Sequence, residues 1–157
     1  SYPDVIKKMK SIGCELGNHS YDHADLSKLD PAGIQSQMSR TNDGIRNITG
    51  SGATLMRPPY GAINSTVAAN AGLPMILWNI DTLDWKTRNA QSTIDAVMSK
   101  VKDGDIILMH DIHTETVDAA LKLIPKLQSE GYQLVTVSEL AAAKGKHLLN
   151  GNTYTDF

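Results

Sequence analysis

Cysteine is almost missing from this chain: Cys14 is its one thiol among 157 residues. An internal disulfide is thereby excluded. Cys14 opens a short apolar run and reads as a small core residue rather than a reactive thiol. An excess of either charge is missing too. Lys and Arg number 15 against 17 Asp and Glu, a formal net charge of −2. That balance offers no electrostatic footprint for nucleic acid or an anionic membrane surface. No apolar run approaches the roughly 20 residues of a membrane span. Internal repeats, linkers and low-complexity tracts are also lacking. What is present is ordinary for one globular domain with a real core: 41% hydrophobic and 20% charged residues.

The chain alternates helical patterns with short apolar runs. Ser1-Tyr2-Pro3-Asp4 resembles a capping box opening a helix, with Val5, Ile6, Met9 and Ile12 as its apolar stripe. Asp30-Pro31 starts a second helix, with Ile34, Met38, Ile45 and Ile48 on one face and Gly50 past its end. Asn64 caps a third. Ile94, Val97, Met98 and Val101 mark a fourth. Val117, Ala120, Leu121, Ile124 and Leu127 mark a fifth, with a kink expected at Pro125, and Ser138 caps a last short one. Between them lie five expected strands: Cys14–Asn18, Ala53–Met56, Met75–Trp78, Ile106–Met109 and Leu134–Val137. Strands that are apolar throughout and separated by helices imply an α/β fold with a parallel sheet. Periodicity leaves open whether that sheet is an open doubly wound one or part of a barrel. Residues 144–157 read as a polar, loosely ordered tail following a domain over 1–143.

Polar residues gather just past the strand ends. His19 and His23 follow the first strand, Arg57 the second, Asp81 and Asp84 the third, and His110 the fourth. The C-terminal ends of parallel strands are where α/β folds assemble active sites. Two histidines four apart can hold one metal from one side, and imidazole suits zinc and similar divalent ions. Taken singly, each residue has a plainer reading: a surface arginine before a proline turn, an aspartate capping a helix, a satisfied core histidine. Four such positions in succession favour a site.

These residues carry a family resemblance that covers almost the whole chain. His19-Ser20-Tyr21-Asp22-His23 resembles the HSxxH motif of the polysaccharide deacetylases, the NodB-homology domain of carbohydrate esterase family 4. Arg57-Pro58-Pro59-Tyr60-Gly61 resembles that family's RxPYG motif, Asp81-Thr82-Leu83-Asp84-Trp85 its DxxDW motif, and Leu108-Met109-His110 its LxH motif. All four stand in family order. The resemblance implies the C-terminal part of a deformed (β/α) barrel with parallel strands, the NodB type. The family's opening TFDDGP motif, whose aspartates serve as catalytic base and metal ligand, has no match here. The expectation is therefore a domain lacking about fifty N-terminal residues, the scale of one to two βα units. The missing segment would be a partner of this chain, and the fragment alone inactive.

The resemblance further implies metal-dependent hydrolysis of N-acetyl groups on N-acetylglucosamine residues of a polysaccharide. Peptidoglycan is the leading substrate, because Asp84-Trp85-Lys86 and its surroundings look most like the bacterial peptidoglycan deacetylases. By the same resemblance, His19 and His23 hold a divalent metal, zinc first and cobalt second. Arg57 pairs with the missing catalytic aspartate. The Tyr60 N–H helps hold the tetrahedral oxyanion. His110 protonates the leaving amine, and Asp84 orients it and stabilises its charge. Trp85 and Leu108 line the acetyl pocket. Asp81 is taken as structural, Asp22 as no ligand, and His113 and His147 as loop and tail residues. An extracellular or cell-envelope location follows. The alternatives are an acetylxylan esterase or chitin oligosaccharide deacetylase of the same family, or a catalytically dead carbohydrate-binding remnant.

Overall fold

The computed structural model describes residues 2–157. The capping box expected from Ser1 lies outside the described residues. The elements run α1 (Pro3–Ser11), α2 (Pro31–Thr49), α3 (Ser65–Asn70), β1 (Met75–Ile76), β2 (Ile80–Asp81), α4 (Asp84–Thr87), α5 (Ala90–Met98), β3 (Ile107–Leu108), α6 (Thr114–Ser129), α7 (Val137–Ala143) and β4 (Thr153–Tyr154). They form two compact units. One holds the chain up to Leu77 with Gly145–Tyr154, the other Trp78–Lys144 with Thr155–Phe157.

In the first unit, Asp30 caps α2 by accepting from the Gly33 N–H at 2.7 Å, and Pro31 fits the first turn. Gly50 closes the helix at φ +81°, its N–H donating to the Arg46 carbonyl. Such a left-handed cap is where glycine alone is unstrained. Ile34 and Met38 then pack with Leu26, Met56, Val67 and Met75 in a buried cluster. Residues 14–18 and 53–56 form no strand of their own and pair only at isolated parallel bridges, Asn18 with Met56 and Met56 with Met75. β1 pairs in parallel with β4, Met75 opposite Thr153 and Ile76 opposite Tyr154. Residues of the expected loose tail thus supply a strand. Cys14 is exposed, not a core residue. The run that holds it has its one bridge at Asn18, at the far end. The expected α1 stripe also buries nothing, leaving Val5, Met9 and Ile12 exposed.

The second unit is built around α5 and α6. β2 pairs in parallel with β3, Ile80 opposite Ile107 and Asp81 opposite Leu108. Ile80, Ile94, Val97, Ala119, Leu123 and Leu127 form its core. α6 runs through Pro125 as one helix. Its buried face is Thr116, Ala119, Leu123 and Leu127, while Val117, Leu121 and Ile124 of the expected stripe are exposed. Both sets keep helical spacing, so periodicity could not choose between them. The expected strand at 134–137 does not form. Leu134 and Val135 are exposed, and Thr136 caps α7 through a reciprocal capping box with Glu139, displacing the expected Ser138.

Gly104 shows how tightly this unit closes. It sits at φ +100°, its carbonyl accepts from the Phe157 N–H, and a Cβ built on it would lie 2.0 Å from the Phe157 carbonyl oxygen. Gly131 has a similar φ, +91°, but nothing within 4 Å of such a Cβ. Gly131→Ala should therefore cost only left-handed strain, about 1–2 kcal/mol. Gly104→Ala should cost clearly more, because backbone must move. Urea unfolding of the two variants side by side checks this ranking.

Candidate active site

In the first unit, the chain passes the bridge at Asn18 and turns through the histidine loop. Asn18 fixes that turn from below. It is 1% exposed, donates to the Met38 carbonyl and to Asn42 Oδ1 at 2.9 Å each, and accepts from the Ser20 N–H at 3.0 Å. Gln37 Oε1 accepts from the N–H groups of Tyr21 and Asp22. The turn places Ser20 and His23 at φ +61° and +60°. His19 and His23 come together with ring centroids 4.9 Å apart and planes at 74°. His23 stands edge-on to Tyr60 as well, at 4.8 Å.

His19 Nδ1 lies 2.6 Å from the Arg57 carbonyl oxygen. A carbonyl can only accept, so Nδ1 carries the proton and Nε2 the lone pair. That is the arrangement by which a backbone carbonyl fixes the tautomer of a metal-binding histidine. With the rings this close, His19 and His23 are the pair that could hold a divalent ion. Among the described residues no third His, Cys, Asp or Glu completes a cluster with them. Arg57 itself donates from Nε to the Ile76 carbonyl and from Nη2 to the Leu77 carbonyl, and burial holds its pKa below the ordinary value. Tyr60 is left-handed at φ +61° with its side chain exposed. Its N–H donates to no protein acceptor among the described residues. Ser20 Oγ is the buried side-chain polar atom without a partner among them.

In the second unit the central feature is a carboxylate. Asp84 is 1% exposed. Its Oδ1 accepts from the Trp85 N–H at 2.8 Å and lies 2.8 Å from His110 Nδ1. Its Oδ2 accepts from the His110 N–H at 2.5 Å and from Thr116 Oγ1 at 2.8 Å. Burial alone would raise the Asp84 pKa. The hydrogen bonds from His110, Thr116 and Trp85 outweigh it and hold the carboxyl below its usual range. An ionised carboxylate against Nδ1 places a proton there, so the chemistry of His110 lies at Nε2. Thr82 Oγ1 donates to the Leu108 carbonyl at 2.8 Å, tying the two strand ends. The Leu108 side chain is buried, whereas Trp85 is 48% exposed. Asp81 accepts from the Leu83 N–H and shapes the turn. His113 precedes α6 and lies 2.8 Å from the Arg88 guanidinium.

Thr116 is a site residue that motif reading misses. It sits on the buried face of α6 and looks like ordinary packing until its hydroxyl is seen on Asp84. The strain pattern is also invisible in sequence. Among the described residues the non-glycine positions with positive φ are Ser20, His23, Tyr60, Leu83 and Arg88. Four of the five lie in the loops that bear the candidate residues, and Arg88 ends α4. Such strain costs about 1–3 kcal/mol per residue, and it collects at functional sites.

Comparisons with known proteins bear on the family and the fold. The family model for polysaccharide deacetylase matches residues 1–76. Peptidoglycan-N-acetylmuramic acid deacetylase PdaC of Bacillus subtilis is 43% identical over 91% of this chain and 31% of its own length. Its solved structure superposes with a TM-score of 0.89 at 42% identity, covering 92% of this chain and 71% of that one. Peptidoglycan-N-acetylglucosamine deacetylase PgdA of Listeria monocytogenes is 41% identical over 98% of this chain and 32% of its own length. A family 4 acetyl xylan esterase from Clostridium thermocellum, solved with a cobalt ion, is 30% identical with a TM-score of 0.93, covering 99% of this chain and 78% of that one. The chain belongs to the polysaccharide deacetylase family, carbohydrate esterase family 4, and has its NodB-type fold. It spans about a third of the length of the curated relatives it matches.

Thr116→Val removes one donor from a buried charge while keeping the side chain's shape. Its cost at neutral pH should be roughly 1.5–3 kcal/mol. The folded-state pKa of Asp84 is lowered, so the stability it contributes is present above the ordinary carboxylate range and is lost as pH falls below it. The gap between wild type and variant should therefore narrow in acid. Urea titrations at pH 7 and pH 3 measure it, and a gap that stays constant would contradict the assignment.

Proposed function

We propose that this chain supplies the greater part of a site that hydrolyses N-acetyl groups from N-acetylglucosamine residues of a polysaccharide, peptidoglycan first. The observation that carries this reading is the buried Asp84 carboxylate on Nδ1 of His110. It holds the ring in one orientation and one tautomer, with Nε2 as the atom that hands over a proton. An amine leaves a tetrahedral centre only if it is protonated as the C–N bond breaks, and that is the role assigned to His110. Asp84 and, behind it, Thr116 position the ring rather than touch substrate.

His19 and His23 would hold the divalent ion, zinc by preference. The fit rests on the tautomer that the Arg57 carbonyl sets at His19 and on the nearness of the two rings. When bound, such an ion polarises the acetyl carbonyl and acidifies a water. The backbone N–H of Tyr60, which donates to no protein acceptor among the described residues, would take the oxyanion. Trp85 and Leu108 would shape the acetyl pocket. Arg57 would pair with the catalytic base. The family's third metal ligand and base, the aspartates of its TFDDGP motif, have no counterpart in residues 1–157. We propose a further segment that brings these carboxylates and completes the deformed (β/α) barrel. The exposed faces of α1 and α6 are apolar surface of the kind such a segment would cover. On this reading the catalytic domain runs past residue 143, because Thr153 and Tyr154 pair with β1. The reading also implies a location where peptidoglycan is reached, outside the cell or in its envelope. The acetyl xylan esterase among the relatives favours a second reading, ester hydrolysis by the same residues. Acetate release from acetylxylan against an N-acetylglucosamine polymer separates the two.

In the full-length protein, Asp84→Asn should lower kcat on an N-acetyl glycan by roughly 10²–10⁴-fold, with KM changed far less. An activated ester leaves without protonation, so its hydrolysis should suffer much less. Equal slowing of amide and activated ester would mean that His110 does not protonate the leaving group.

A further inference from the structure

Arg88 is held in an unusual way. Its backbone is left-handed at φ +46°, and Leu83, five residues earlier, is left-handed at φ +53°. The two strained residues bracket α4, the short helix that carries Asp84 and Trp85. The Arg88 side chain is clasped at two points. Nε donates to the Trp85 carbonyl at 2.9 Å, and Nη1 lies 2.8 Å from His113 Nδ1. A guanidinium only donates, so His113 Nδ1 accepts and the His113 proton sits on Nε2. His113 in turn donates its N–H to the His110 carbonyl. The clasp therefore stands beside the Asp84–His110 pair and ties the same two segments together.

Both partners of this guanidinium are neutral. Asp111 and Glu115 flank His113 two residues to either side, yet no carboxylate lies within ion-pair distance of Arg88 among the described residues. The result is an exposed, oriented cation with Nη2 still able to donate, next to an imidazole whose Nε2–H is also a donor. A planar guanidinium with a neighbouring N–H is matched by a planar anion, and a carboxylate is the common one. We propose that Arg88, with His113, forms a subsite for a carboxylate borne by the glycan strand. This deepens the proposed function and rests on it: the site would favour acidic glycans such as peptidoglycan, whose sugars and stem peptides carry carboxylates, over neutral ones.

The test uses the full-length protein and four glycans. Peptide-free peptidoglycan strands present lactyl carboxylates, peptide-bearing strands present stem-peptide carboxylates, and each is also prepared as its methyl ester. Wild type should prefer an acid form to its ester. Arg88→Ala and Arg88→Gln should raise KM for that form by roughly 10- to 100-fold, erasing the preference, while Arg88→Lys keeps part of it. Whichever strand shows the effect identifies the carboxylate's source. Variants that lose acid and ester forms equally would show Arg88 to be a structural clasp only and overturn the proposal, as would a wild type indifferent to esterification. Calorimetric binding of the same glycans separates this from the reading beneath it. If no acetate is released from any strand, the deacetylase assignment fails, and the subsite then stands or falls on whether acid forms bind more tightly in an Arg88-dependent way.

Discussion

A buried carboxylate with four donors around it organises the second unit. Asp84 reaches no solvent, so its charge must be met within the protein or given up. Each donor comes from a place that packing had to bring near: the start of α4, the end of β3 twice, and the buried face of α6. The parallel register of β2 with β3 sets Asp84 and His110 at neighbouring strand ends, and the helix core of α5 and α6 presses Thr116 inward. One anion thus converts the packing of three elements into the orientation of one imidazole ring. The arrangement is costly to leave incomplete, since a buried charge lacking partners costs several kcal/mol.

Much of this was legible in residues. Asp30 and Asn64 each accept from a backbone N–H three residues on, as their positions before helical runs imply. The places of His19, Arg57, Asp84 and His110 past apolar runs point to a site from the sequence alone. What sequence could not resolve has physical causes. α6 carries two apolar faces at the same period, and only the partner surface decides which is buried. Val135 has strand propensity, but no neighbouring strand satisfies its backbone, and Thr136 turns the chain into α7. The strand at 153–154 is two residues long in a polar setting, too short to show a pattern. Thr116 and Asn18 act through hydrogen bonds across long separations, which local periodicity does not encode.

The histidine loop solves a different problem by similar means. Its rings must be aimed, not merely placed. Asn18 beneath the turn, Gln37 at its crest and the Arg57 carbonyl on His19 together remove the loop's freedom. Two left-handed residues are tolerated because these bonds over-determine the backbone.

The uncovered apolar side chains of α1 and α6 bear on how residues 1–157 behave as a material. Tyr2, Val5 and Ile12 on one unit, and Leu121, Ile124 and Val135 on the other, present greasy surface on a molecule whose net charge is only −2. Weak electrostatic repulsion between copies leaves little to oppose contact between such patches. Handled by itself, this chain offers such patches to a second copy of itself, and added salt screens what repulsion there is.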